Sequence, residues 1–203
     1  MISTTSLMEN PLAYRLWQAP FAERKLEPLF AHNDLGGARR VLDVGCGPGT
    51  NARHFSHTEY VGVDVNQRYI EHARRSCTGT FLVADAAAPA PLASVGQPGT
   101  FDFVLANSLL HHLDTASVES VLRGMRALLG ADGYVHILDL VLPEQRCVAR
   151  ALARWDRGEY PRMLAEWRDL LVDVFEPVVF EPYPLKAWNV TLWSMLYFKG
   201  RAR

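Results

Sequence analysis

Short apolar runs alternate with longer amphipathic stretches along this chain. The runs cover positions 41–44, 60–63, 81–84, 101–106 and 134–142, each bounded by Gly, Asp, Asn or Pro. The first three look continuous rather than alternating, the pattern of strands buried on both faces. Between the runs, positions 51–58, 66–76 and 115–129 read as helices, with Thr115 placed to cap the last and Gly130 and Gly133 to end it. Such alternation implies a parallel sheet, right-handed crossovers and helices on both faces. The ends break the rhythm. Residues 1–35 mix apolar and charged positions (Tyr14, Leu16, Trp17, Phe21, Leu26, Leu29, Phe30) and read as a helical cap over the sheet's edge or mouth. After Pro143 a helix is expected to about Asp156, and after Gly158 and Pro161 another over 162–172. Two further apolar runs, 174–180 and 192–198, are separated by Pro182 and Pro184. That link is too short for a crossover, so an antiparallel pair is expected. The result is an α/β protein with about seven strands, the last one reversed.

Composition narrows the field. The chain has 203 residues, 49% of them apolar and 21% charged, which suits a single globular domain over 1–203. Lys and Arg total 21 against 22 Asp and Glu, so no global field draws nucleic-acid phosphates. No apolar run approaches the roughly 20 residues that cross a bilayer, and the N-terminus lacks the pattern of a secretory signal. Cys46, Cys77 and Cys147 form neither a metal-spaced pair nor an even disulfide framework. The expectation is a soluble, cytoplasmic enzyme or binding protein, with no nucleic-acid partner, no membrane partner and no metal. Oligomeric state has no signal in the sequence.

The densest chemistry lies in Val41-Leu42-Asp43-Val44-Gly45-Cys46-Gly47-Pro48-Gly49-Thr50. A buried strand runs into three glycines at alternate positions. Such a turn lets a ligand approach the backbone, and a following helix start offers unpaired N–H groups. Asp43 stands just before the loop, where a carboxylate can meet a ligand ammonium. A dinucleotide loop wants glycine at position 50, which is Thr, and a Walker loop wants Gly-Lys-Ser/Thr, which is missing. Asp64 closes Val61-Gly62-Val63, 19 residues after Gly45. That is near the spacing of about 20 for an acid on ribose hydroxyls. Asp85-Ala86 ends Phe81-Leu82-Val83-Ala84, an acid beside an amide suited to an adenine edge. Asn107 ends Phe101-Asp102-Phe103-Val104-Leu105-Ala106 and leads into Ser108-Leu109-Leu110-His111-His112-Leu113. All four features fall at the C-terminal ends of parallel strands, where open α/β sheets bind ligands.

Together, LDVGCGPGT, VGVDV, FLVADA and FDFVLANSLLHHL resemble a class I S-adenosylmethionine-dependent methyltransferase. The flavour is the small-molecule type of quinone-biosynthesis and natural-product enzymes. The resemblance covers about 36–142 and extends loosely to the terminal strand pair. It implies a Rossmann-like doubly wound sheet, S-adenosylmethionine as cofactor and a small-molecule acceptor. Residues 36–142 would form the cofactor-binding core, and 143–203 the helical acceptor region with the strand pair. Gly45, Gly47 and Gly49 would line the methionine part, and Asp43 would face its amino group. Asp64 would bind the ribose hydroxyls, Val65 would pack near the adenine, and Asp85 and Ala86 would hold its edge. Asn107 would lie near the sulfonium methyl. The Asn-Pro-Pro-Tyr-type signature of amino- and base-directed relatives is not found there, which lowers DNA-adenine and protein-glutamine substrates; the expected methyl transfer is to oxygen or carbon rather than nitrogen.

Plainer roles stand beside these. A histidine ordinarily titrates near neutral pH, so His111 or His112 is a candidate catalytic base, or the pair shapes the pocket. Asp64 has the position of a helix cap, Asp85 that of a loop head and Cys46 that of a small filler. His32, His54, His57, His72 and His136 show no metal-like spacing. Arg146, Arg150 and Arg154, with Arg157 and Arg162, form either a solvated face or a basic rim for an anionic acceptor. Val148, Ala151, Leu152 and Trp155 would face something apolar. Tyr14, Arg15 and Trp17 would close the cofactor mouth. The alternatives are a non-catalytic cofactor-binding module or partner subunit, a nicotinamide-dependent oxidoreductase, and a cyclase with the cofactor as bystander.

Overall fold

The computed structural model describes residues 21, 23–88, 92, 95–155 and 158–203. Among them the strands are β1 Arg40–Val44, β2 Glu59–Asp64, β3 Thr80–Val83, β4 Phe101–Asn107, β5 Leu129–Leu140, β6 Phe175–Ala187 and β7 Val190–Ala202. They form one seven-stranded sheet in the order β3-β2-β1-β4-β5-β7-β6. Strands β1 to β5 pair in parallel, and β7 runs antiparallel to both β5 and β6. Strand order reverses between β1 and β4, which opens a crevice at their carboxyl ends.

Among the described residues the helices include α1 Glu27–Ala31, α2 Gln67–Ser76, α3 Thr115–Leu128, α4 Val148–Trp155 and α5 Leu164–Val174. Successive strand residues point to opposite faces, and here both faces are covered. Val104, Ile137 and Leu42 pack with Val118 and Leu122 of α3 and Trp167 of α5. Leu105, Leu138 and Val41 pack on the other face with Ile70 and Ala73 of α2 and with Leu29 of α1. The doubly wound sheet with a reversed last strand is therefore the observed fold. A smaller cluster joins Phe21 and Ala153 to Leu185, Trp193 and Met195 of the strand pair.

Several elements differ from the sequence-based expectation, each for a local reason. The helix expected over 51–58 is a short 3-10 turn, Ala52–Phe55. The amide and hydroxyl of Thr58 both donate to the Phe55 carbonyl, turning the chain into β2 at once. The cap of α3 is Asp114, whose carboxylate accepts from the Ser117 amide; Thr115 is the first helical residue. Pro182 and Pro184 lie inside β6, together with Pro177, and do not separate the strands. β6 is the sheet's edge and pairs only with β7, so a proline there can face the unpaired side. The hairpin turns instead at Trp188 and Asn189, both at positive φ (44° and 63°), the signature of a two-residue primed turn. In α4 the buried face is Ala149 and Ala153, while Val148, Ala151 and Trp155 are exposed. Small residues there let the helix lie close to β7.

Candidate active site

β1 delivers Asp43 to the switch point, and the chain then turns through Gly45, Gly47 and Gly49 at φ of 74°, 54° and 83°. A Cβ on Gly45 would sit 2.8 Å from Leu109 Cδ1, and one on Gly49 would sit 3.0 Å from Cys77 Sγ. Gly47 differs: nothing lies within 4 Å of where its Cβ would be. The outer glycines therefore serve packing, and the middle one leaves bare backbone facing open space. The amides of Gly45 and Cys46 both donate to the Val63 carbonyl, at 2.8 and 3.0 Å, which ties the loop to β2. Burial, reinforced by the charges of Asp43 and Asp64, pushes the Cys46 thiol far above its ordinary value. The residue is a filler and not a nucleophile.

Asp64, at the tip of β2, is fixed at the lip of this loop. Its Oδ2 accepts from the Gly47 amide at 2.9 Å and its Oδ1 from the Asn66 amide at 2.8 Å. Capping of α2 falls to Asn66, which accepts from Arg68 and Tyr69. Val65 follows with two-thirds of its surface exposed. Asp85 lies just beyond β3 and accepts from the Ala87 amide at 2.9 Å, a loop-heading bond that keeps one oxygen engaged. Ala86 is half-buried beside it.

Asp43 is fully buried. Its Oδ2 accepts from Tyr60 Oη at 2.5 Å and Asn51 Nδ2 at 3.0 Å, while its Oδ1 is buried with no hydrogen-bond partner. Burial pushes this carboxyl up to about 6, against the lowering effect of Tyr60 and Asn51; nearby Asp64 adds a smaller upward push. An acceptor left without a donor costs about 1–3 kcal/mol, more when charged. Asn51 Oδ1 in turn accepts from Asn107 Nδ2 at 3.3 Å, and Asn107 Oδ1 accepts from Ser108 Oγ at 3.2 Å. Lys25 Nζ donates to Ser108 Oγ at 2.9 Å. A polar chain thus runs from Tyr60 of β2 through Asp43 and Asn51 to Asn107 at the end of β4. Sequence reasoning placed Asp43 and Asn107 there but missed Asn51, Tyr60, Ser108 and Lys25.

The histidine pair divides. His111 is buried, with Nδ1 2.5 Å from Asp139 Oδ1. Asp139, near the end of β5, also accepts from the amides of Leu110 and Leu140, each at 2.7 Å. His112 is exposed, its ring 4.1 Å from that of His111. Arg162 pins the same loop by donating to the carbonyls of Leu110, Tyr160 and Leu113. Gly158 packs so closely on the His111 ring that a Cβ would collide with it. A lone acid inside the apolar run 134–142 was the available signal for Asp139. Tyr14, Arg15, Trp17 and Arg157 lie outside the described residues. Among the described residues no three His, Cys, Asp or Glu gather as a metal site.

At the switch point, a glycine turn with bare backbone thus has a fixed acid at its lip and a buried carboxylate oxygen without a donor beneath it. Residues 41–133 match the family described as a methyltransferase domain. The trans-aconitate 2-methyltransferase of Paracidovorax citrulli is 32% identical over 143 residues, covering 68% of this chain and 51% of that protein. The ubiquinone biosynthesis O-methyltransferase of Bordetella bronchiseptica is 29% identical over 140 residues, covering 62% of this chain and 56% of that protein. A solved SAM-dependent methyltransferase from Methanosarcina mazei superposes with a TM-score of 0.68 at 16% identity, covering 86% of this chain and 97% of that one. Residues 41–133 thus resemble a methyltransferase domain, and the chain shares its fold with a solved S-adenosylmethionine-dependent methyltransferase. It spans about half the length of the curated relatives it matches.

The residues present fit S-adenosylmethionine. Gly47 leaves room at the backbone, Asp64 offers a fixed carboxylate, and Asp43 Oδ1 lacks the donor that an ammonium supplies.

Proposed function

We propose that this protein methylates a small organic acceptor at oxygen or carbon. The observation that carries the reading is Asp43 Oδ1, a buried carboxylate oxygen without a donor under an open glycine turn. In this reading Gly45, Gly47 and Gly49 line the methionine part and Asp43 holds its ammonium. Asp64 takes the ribose hydroxyls, Asp85 and Ala86 the adenine edge, and Val65 packs on the base. Asn107, tied to Asn51, stands by the transferring carbon. The relatives named for trans-aconitate and for ubiquinone biosynthesis support a small-molecule acceptor. The near-balanced charge speaks against nucleic acid, and free thiols at Cys46, Cys77 and Cys147 suit a reducing cytoplasm.

When bound, the cofactor supplies a methyl already activated by its positive sulfur. The protein's work is then to align the acceptor and exclude water. Where the acceptor is a hydroxyl, its proton must leave. Asp139 holds His111 through Nδ1, the arrangement that leaves Nε2 as the basic nitrogen. His112, which is exposed, is the weaker candidate.

The test is to incubate the full chain with methyl-labelled S-adenosylmethionine and a small-molecule cell extract. One small molecule is expected to gain the label, and none with Asp64→Ala. Binding of S-adenosylhomocysteine with no labelled product in any extract would replace this reading with that of a non-catalytic binding module.

A further inference from the structure

The segment after β5 brings three arginines together. Arg150 and Arg154 lie one turn apart on α4, and Arg146 lies two residues before its start. They line a hollow of about 380 Å3 together with Glu144, Cys147 and Ala151. That hollow abuts a second of about 510 Å3, with Glu144 and Cys147 shared between the two linings. The second is walled mainly by apolar side chains, among them Leu142, Leu164, Tyr183 and Met195. Met195 sits opposite Leu140 at the carboxyl end of β5. Since β5, β4 and β1 are parallel, this is the same end of the sheet as the glycine turn.

Resting on the methyl-transfer reading, we infer that the acceptor is a small polycarboxylate whose charges bind to Arg146, Arg150 and Arg154 while its carbon skeleton enters the adjoining apolar hollow. A solvated helix face normally interleaves its cations with acids three or four residues away. The sequence of α4, VARALARW, holds no acid. Among the described residues no carboxylate forms an ion pair with any of the three arginines. Like charges four apart on a helix repel, and an anion seated between them relieves that repulsion. Arg150 is already oriented, since Nη1 donates to the carbonyls of Pro143 and Glu144. Guanidinium forks match carboxylates in a bidentate way. Side chains four apart on a helix stand about 5–6 Å from each other at Cβ. That spacing suits several carboxylates on a short skeleton better than one tetrahedral phosphate.

The test titrates the full chain calorimetrically with tricarballylate, with its trimethyl ester and with inorganic phosphate, in the presence of S-adenosylhomocysteine. Tricarballylate is expected to bind about tenfold or more tightly than phosphate, to weaken with added salt and to leave the ester unbound. The double variant Arg146→Gln, Arg154→Gln, both exposed positions, is expected to weaken tricarballylate about tenfold or more and to keep its affinity for S-adenosylhomocysteine. No binding, equal binding of ester or phosphate, or an unchanged double variant would overturn the inference. Arginine-dependent binding without a labelled product from any extract leaves the carboxylate site standing and removes the methyl-transfer reading. A labelled neutral product, made equally well by the double variant, does the reverse.

Discussion

Asp43 carries its two oxygens into different surroundings: Oδ2 takes hydrogen bonds from Tyr60 and Asn51, and Oδ1 takes none. Burial lifts its pKa from 3.8 to about 6, so it is part-protonated in mildly acid solution. A ligand ammonium binds only the ionised form. Affinity for S-adenosylhomocysteine is therefore expected to rise with pH below about 6, by up to roughly tenfold per unit, and to level off above about 7. Asp43→Asn is expected to weaken binding at neutral pH and to flatten that profile, as calorimetry across pH 5–8 would show. A wild-type profile that is flat through this range would refute the role of Asp43. Asp64 and Asp85 were legible as candidates because each follows an apolar run at a strand tip, and Asp43 because it interrupts such a run just before the glycine turn. Tyr60, Asn51 and Asp139 were not. Tyr60 reaches Asp43 because Val41 pairs with Tyr60 and Asp43 with Gly62, which places Tyr60 two residues along the same face. That relation exists only once two strands are in register. Asn51 looked like part of a helix, and its side chain went to Asp43 instead.

At the level of elements, an apolar run marked each described strand, most plainly β1, β2 and β4, whose burial on both faces writes itself as continuous hydrophobicity. The helices between them were read by pattern, and the one after the glycine turn failed where Thr58 closed the chain early. The prolines of β6 misled for a different reason. Whether a strand lies at an edge is a property of the whole sheet, and an edge excuses a missing N–H. The β1 turn and β2 are matched through Gly62, where a Cβ would lie 2.8 Å from Cys46 Sγ and 2.9 Å from Phe81 Cδ1. Neither neighbour can retreat, since both are buried. Gly62→Ala is expected to cost about 1–3 kcal/mol in chemical denaturation. It should also weaken S-adenosylhomocysteine binding, because the displaced Cys46 belongs to the turn. Unchanged stability would show that the loop and β2 are not packed as described.

Over the whole molecule, two buried titratable groups act on stability with opposite sign. His136 is buried against Phe103, its ring 3.9 Å away, with Nδ1 3.1 Å from Tyr197 Oη and Nε2 unpartnered. Burial, and then the charge of Lys199, hold its pKa well below 6.5. As pH falls through 6.5 the unfolded chain takes up this proton first, so folding stability declines, by at most about 1.4 kcal/mol per unit. Asp43 works the other way. Its folded pKa of about 6 exceeds 3.8, so the folded chain takes up that proton first and gains stability as pH falls between those values. His136→Phe is expected to lose less stability than wild type between pH 7.5 and pH 5, by about 1–2 kcal/mol in urea denaturation. Equal pH dependence in the two proteins would place His136 outside this balance. The account as a whole rests on the cofactor cradle, and its most direct test is a calorimetric titration of wild type and Asp64→Ala with S-adenosylhomocysteine. Wild type is expected to bind one equivalent, and the variant to lose about a hundredfold or more in affinity while still unfolding cooperatively. A folded Asp64→Ala chain that binds as tightly as wild type would contradict it.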